Sequence, residues 1–275
     1  MAVRLPRIAI LGAGSMGGAI LSGLLGEGVE TAGIVVTNRT EAKAAALRRP
    51  GVISLSHETE SDANQTALRG ARLVLLGVKP AMVPDLLRDI ADSLEPDALV
   101  VSIAAGVTIE TMEALVPNVV FRSMPNTPST VRLGVTGVAP GTRASAEDAA
   151  LVRALFETVG AVVEVPEAQI NALSTISGSG PAYVFYLIEQ LEATARNLGF
   201  DEAQSRLMVE QTFRGASELL AASDVGPAEL RRRVTSPNGT TQRAIEVLET
   251  AGLTDLFDRA TAAALARNEE MARGL

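Results

Sequence analysis

The sequence predicts an α/β domain followed by an all-α domain, and three observations carry that prediction. Short, continuously apolar β-rich runs alternate with helical stretches through the first 164 residues. The β signal stops after about residue 165. The remaining residues read as five helices. Apolar strands alternating with helices imply a mostly parallel sheet covered on both faces, the doubly wound arrangement. We therefore expect one domain over 1–164 and a second, helical one over 165–275. At 275 residues the chain is long enough for two cores.

The strands are expected, in order, at 8–11, 34–37, 73–78, 99–103, 119–121 and 135–138. A helix over 19–25 follows the first of them. In the second half, Gly180-Pro181 opens a helix over 182–198. Its first seven residues are all apolar or Tyr, too many for a surface helix. It is buried by its own domain or by a partner subunit. Asp201 with Gln204 forms a capping-box-like start for the next helix, where Met208, Phe213, Ala216 and Leu220 share a face. Further helices are expected near 227–234, 240–251 and 255–273.

Composition narrows the function classes. Hydrophobic residues make up 47% and charged residues 20%, a folded, globular balance. A net charge of −8 argues against nucleic-acid binding driven by bulk electrostatics. No cysteine is present, which excludes disulfides, thiol nucleophiles and thiolate metal sites. We expect no metal, no membrane span and a cytoplasmic location. The only histidine, His57, lies in a polar stretch and reads as an exposed bystander.

Gly12-Ala13-Gly14-Ser15-Met16-Gly17 is a G-x-G-x-x-G directly after a strand and opening a helix. The first glycine makes the tight turn, the second lets backbone approach a pyrophosphate, and the third lets helix and strand pack closely. This marks a Rossmann-type nucleotide site. Where an NAD enzyme commonly places an acidic residue, this chain has Thr37-Asn38-Arg39-Thr40. Asn38 and Arg39 suit a 2′-phosphate, so NADPH is expected over NADH, with NAD(H) as the weaker alternative. Glu41 would bind a ribose instead if the strand ended later. Gly77-Val78-Lys79-Pro80 and 102–106, with Ala104 and Ala105, end two further strands, where ligands bind in this architecture. Met124-Pro125-Asn126-Thr127-Pro128 reads as a rigid loop able to close over the cofactor.

Near the C-terminal end, Val234-Thr235-Ser236-Pro237-Asn238-Gly239-Thr240-Thr241 combines hydroxyls with an Asn-Gly turn before a helix. Hydroxyls and bare N–H groups at a helix start make an anion site that suits an amino-acid carboxylate.

Taken in order, these motifs and Ser177-Gly178-Ser179-Gly180-Pro181-Ala182-Tyr183 resemble the pyrroline-5-carboxylate reductase family over nearly the whole chain. The resemblance implies hydride transfer from NAD(P)H to the C=N carbon of 1-pyrroline-5-carboxylate, giving L-proline. It implies that Thr241 hydrogen-bonds the ring nitrogen and that Ser236 and the backbone of Asn238, Gly239 and Thr240 hold the carboxylate. It places Glu167 near the substrate, Asn64 against the adenosine, and Val78, Lys79, Pro80, Ala104 and Ala105 along the cofactor. It also implies a homodimer through interlocked helical domains, with dimers building larger rings such as a decamer. The family's loop usually reads Ser-Pro-Gly-Gly-Thr-Thr, and Asn238 replaces the first of those glycines. Asn tolerates the left-handed region, so the turn survives.

Two other readings compete. A hydroxy- or keto-acid reductase on the same plan needs a catalytic Lys or His in the helical domain, and residues 166–275 contain neither. A nucleotide-binding regulator needs no substrate loop. Imine reduction asks less: a cyclic imine protonates from solvent, and the protein supplies positioning and charge.

Overall fold

The computed structural model describes residues 3–273. Its strands are β1 (Val3–Leu5), β2 (Ile8–Leu11), β3 (Val29–Thr31), β4 (Ile34–Asn38), β5 (Val52–Ser56), β6 (Leu73–Leu76), β7 (Leu99–Ser102), β8 (Val119–Met124), β9 (Gly134–Pro140) and β10 (Gly160–Glu164). Eight of them form one sheet in the order β10-β9-β8-β7-β6-β2-β4-β5. Every pair in it is parallel except β8 and β9. All six expected strands are in that sheet. The sequence reading passed over β5, β10 and the small parallel β1–β3 pair.

The helices of the first part are α1 (Ser15–Leu24), α2 (Glu41–Leu47), α3 (Ala63–Leu68), α4 (Val83–Ile90), α5 (Ile109–Glu113), α6 (Ala146–Glu157) and α7 (Glu167–Leu173). Strand alternation sorts the core into two layers. Ala9, Leu11, Val74, Leu76 and Val100 pack with Ala67, Leu87 and Met112 on one face. Ile8, Ile10, Leu75 and Val101 pack with Ile20, Leu24, Leu155 and Phe156 on the other. Both faces are therefore dry, which is why the strands read as unbroken apolar runs. Strand β2 lies between β4 and β6, so the winding direction reverses there, and ligands in such sheets bind at that switch point.

The rest of the chain forms α8 (Gly180–Asn197), α9 (Glu202–Ala221), α10 (Pro227–Arg233), α11 (Thr240–Glu249) and α12 (Leu253–Arg273). Asp201 and Gln204 make the expected reciprocal capping box at the start of α9. None of the described helices is long and apolar enough to cross a membrane.

The compact units divide at Ser179/Gly180, and the end of the chain from Ala264 belongs to the first unit. α7, which follows the expected break at 164/165, packs on the sheet. Ile170 is buried in its core, and a Cβ on Gly137 of β9 would stand 2.7 Å from Leu173 Cδ2. The unit spanning 180–263 holds only two of the buried hydrophobic residues, Ala195 and Val209. Val184, Phe185, Tyr186, Leu187 and Leu191 on α8 are exposed instead.

Candidate cofactor and substrate sites

Gly12 leaves β2 with φ of +88°, a conformation that disfavours side chains. A Cβ there would also stand 2.8 Å from Val78 Cγ1. The N–H groups of Gly12 and Ala13 both donate to Thr37 O, tying the turn to the end of β4. Gly17 lies inside α1, where a Cβ would meet Gly12 O at 3.1 Å and Ile10 Cγ2 at 3.3 Å. Helix and strand approach through that gap. Gly14, which caps α1, has open space where its Cβ would be, and the first turn of α1, from Ser15 and Met16 on, contains no acidic residue. An uncapped helix N-terminus facing open space is what a pyrophosphate requires. On the other side of the switch point, a Cβ on Gly77 would collide with Gly12 O. The two turns thus meet backbone to backbone.

At the end of β4, Asn38 is buried and its Nδ2 has no partner. Arg39 is exposed, and among the described residues it has no ion-pair or hydrogen-bond partner. Glu41 is no rival for a ribose. The strand ends at Asn38, and both Glu41 carboxylate oxygens accept from Arg48, at 2.6 and 3.0 Å. The N–H of Glu41 donates to Glu58 Oε2. Asn64, on α3, is 7% exposed, and its Oδ1 accepts from Thr37 Oγ1 at 2.9 Å. His57 is exposed as expected, yet its Nε2 lies 3.1 Å from the same oxygen. Sequence reasoning missed that contact, because it forms only when the segment after β5 folds back beside β4.

Beyond the ends of β6, β7 and β8 lies a cavity of about 340 Å³, lined by Lys79, Ala105, Arg122, Met124 and Asn171 among others. Ala104 is buried beside it, its N–H donating to Ser102 Oγ. Asn126 anchors the loop after β8 on two sides. Its Nδ2 donates to Ser177 O at 2.9 Å and its Oδ1 accepts from Val135 N at 2.8 Å. Asn126 thus ties the 124–128 loop to β9 and to the segment after α7. Glu167, expected near the substrate, has partners inside the sheet unit. Its Oε1 accepts from Ile109 N at 2.8 Å and from the buried Arg122 at 3.3 Å. It joins α7 to α5 and the sheet and neutralises an arginine that would otherwise be an uncompensated buried charge.

The 234–241 loop precedes α11. Asn238 has φ of +58°, so the left-handed turn forms without the family's glycine. Gly239 caps α11 with extended backbone, and no side chain caps that end. Two of the expected carboxylate donors are already engaged: Gly239 N donates to Ser236 O, and Asn238 N donates to Gln242 Oε1 at 2.7 Å. The N–H groups of Thr240 and Thr241, first in α11, have no intrahelical acceptor. The hydroxyls of Ser236, Thr240 and Thr241 have no partner among the described residues. Tyr183 packs on Phe257, with ring centroids 6.2 Å apart.

A doubly wound sheet with a glycine-cradled helix N-terminus at its switch point defines a dinucleotide-binding protein of the Rossmann class. Comparison with known proteins makes this specific. Residues 167–271 match the pyrroline-5-carboxylate reductase dimerisation family, and residues 7–106 match the family described as NADP oxidoreductase, coenzyme F420-dependent. The chain is 37% identical to the pyrroline-5-carboxylate reductase of Pseudomonas aeruginosa, over 98% of each chain. It is 38% identical to that of Corynebacterium melassecola, over 97% of this chain and 98% of the relative. The solved structure of the Coxiella burnetii pyrroline-5-carboxylate reductase is 36% identical, with a TM-score of 0.89, covering 96% of this chain and 97% of that one. The chain belongs to the pyrroline-5-carboxylate reductase family.

Proposed function

We propose that this protein reduces 1-pyrroline-5-carboxylate to L-proline with NADPH, the last step of proline biosynthesis. The observation that carries the reading is that one chain has both a glycine cradle at β2 and, in its helical part, an uncapped α11 N-terminus with three hydroxyls that have no partner among the described residues. The Plasmodium falciparum pyrroline carboxylate reductase, 25% identical over 97% of this chain with a TM-score of 0.80, was solved with NADP bound. Arg39, free of ion pairs, supports NADPH over NADH, with NADH as the slower substitute.

The cofactor, when bound, supplies the hydride. The chain's own work is binding and orientation. Gly14 and the start of α1 hold the pyrophosphate, while Val78, Lys79, Pro80, Ala104 and Ala105 line the strand ends. Thr240 N–H and the Ser236 and Thr240 hydroxyls receive the substrate carboxylate at the positive end of α11. Asn238 N–H joins them only when Gln242 gives it up. Thr241 hydrogen-bonds the ring nitrogen and orients an imine protonated from solvent. A second copy of the chain covers the apolar start of α8, and dimers assemble further into rings. Residues 165–275 thus serve as the substrate-binding and dimerisation part of an enzyme we place in the cytoplasm.

The test follows NADPH absorbance and proline formation with purified protein and 1-pyrroline-5-carboxylate. Thr241→Ala should lower turnover while NADPH affinity stays near wild type; unchanged turnover removes Thr241 from the mechanism. Arg39→Ala should weaken NADPH by about 10-fold, the lower end for a hydrogen bond to a charged group, and leave NADH unchanged.

A further inference from the structure

We infer that His57, the only histidine in the chain, is a positioning residue for the adenosine end of the cofactor and acts through Asn64. The inference rests on the dinucleotide reading above and concerns that same site. Three elements meet at one amide oxygen. Thr37 Oγ1, at the end of β4 and 1% exposed, donates to Asn64 Oδ1 at 2.9 Å. His57 Nε2, just after β5, lies 3.1 Å from the same oxygen. An oxygen that accepts from the hydroxyl has only acceptor lone pairs to offer, so Nε2 must carry the proton and donate. The backbone closes the arrangement: His57 N donates to Asn38 O at 3.0 Å, and the loop is held beside β4 by that bond.

The consequence concerns the other end of the amide. With Oδ1 held by two donors, Asn64 cannot rotate to present its oxygen, and Nδ2 is fixed as the outward group. That nitrogen has no partner among the described residues, and unlike Asn38 Nδ2 it is not sealed from solvent. A side chain that is 7% exposed therefore opens one unused donor beside the end of β4, where the adenosine ribose of a dinucleotide lies in this architecture. A ribose hydroxyl or a ring nitrogen is the acceptor it fits. His57 needs no contact with the cofactor for this; it sets which atom of Asn64 the cofactor meets.

The experiment measures Kd for NADPH, NADH and ADP-ribose by titration calorimetry on the full-length protein and its His57→Ala, His57→Gln, Asn64→Ala and doubly substituted variants. Loss of one orienting hydrogen bond should raise Kd in His57→Ala by about 3- to 10-fold. The factor should be the same for all three ligands, whereas loss of Arg39 weakens NADPH alone. His57→Gln keeps a donor and should stay within about 2-fold of wild type. Adding His57→Ala to Asn64→Ala should cost nothing further, since His57 acts only through Asn64. Wild-type affinity in His57→Ala, additive losses in the double variant, or failure of Gln to rescue a variant with wild-type Tm would each overturn the inference. Binding is read directly, so a protein that binds NADPH but leaves the imine unreduced would refute the proposed reaction and leave this inference standing.

Discussion

Gly14 and Gly77 flank the same turn and must be glycine for different reasons, which makes them separable by experiment. A methyl group on Gly14 meets nothing within 4 Å, and its φ of −75° suits any residue. Gly14→Ala should therefore leave stability within about 0.5 kcal/mol of wild type, as surface substitutions do. The new methyl would stand where the pyrophosphate approaches, so NADPH affinity should drop clearly. A methyl on Gly77 collides with the Gly12 carbonyl. Overpacking of this kind costs about 1–3 kcal/mol, so Gly77→Ala should lower Tm even without ligand. Equal behaviour of the two variants in thermal melts and NADPH titrations would show that the cradle is not built as described. Gly12, Gly14 and Gly17 were legible because their spacing encodes their jobs. His57 was not, because nothing in its sequence neighbourhood points to Asn64, seven residues away on another element.

Among the elements, the buried strands were legible because burial on both faces leaves no polar alternation to confuse them. The strands passed over carry weaker signals. β5 reads Val-Ile-Ser-Leu-Ser and sits at the sheet edge, where polar residues are tolerated. β1 and β3 are three residues each, too short to register as periodic. The antiparallel β8–β9 pair was also unreadable, since direction depends on the path of the connection and not on strand composition. Helix α6 offers a test at this scale. Ser145 and Asp148 cap it reciprocally, and Asp148 Oδ1 also accepts from Arg72 at 2.8 Å. Burial alone would push the Asp148 carboxyl up, but the Ser145 hydrogen bonds and the Arg72 guanidinium outweigh it and hold it below the usual carboxylate range. A carboxylate depressed in the fold stabilises fully above its unfolded value of about 3.9 and loses that contribution as pH falls through the lower folded value. Asp148→Asn should therefore cost about 1 kcal/mol at neutral pH. The gap in Tm between wild type and variant should close below about pH 4. A gap that stays constant down to acid would mean the charge plays no part.

For the whole molecule, the two halves differ in what a single chain can bury. The sheet unit has two complete core layers, whereas the unit over 180–263 seals only Ala195 and Val209 among its hydrophobic side chains. Phe185 on α8 is 65% exposed, Leu198 75% and Leu207 69%. Each fully buried side chain of this kind gains about 1.5–3 kcal/mol. Left in water, these helices forgo most of what would offset the entropy of ordering them. The run of apolar residues after Gly180-Pro181 already demanded a cover in the sequence, but sequence could not say whether that cover came from the same chain. In the structure these side chains stay exposed, and the match of residues 167–271 to a dimerisation family favours a second copy as the cover. Light scattering on the purified protein should thus report at least a dimer at micromolar concentration. Phe185→Glu would place a charge in the apolar face and should shift the population toward smaller species or aggregates. The glycine cradle lies in the sheet unit with its own core, so NADPH affinity of that variant should stay within about 3-fold of wild type, under 1 kcal/mol. A wild-type monomer with a stable, cooperatively melting helical unit would refute the assignment, because the described core of that unit is too small to hold five helices alone.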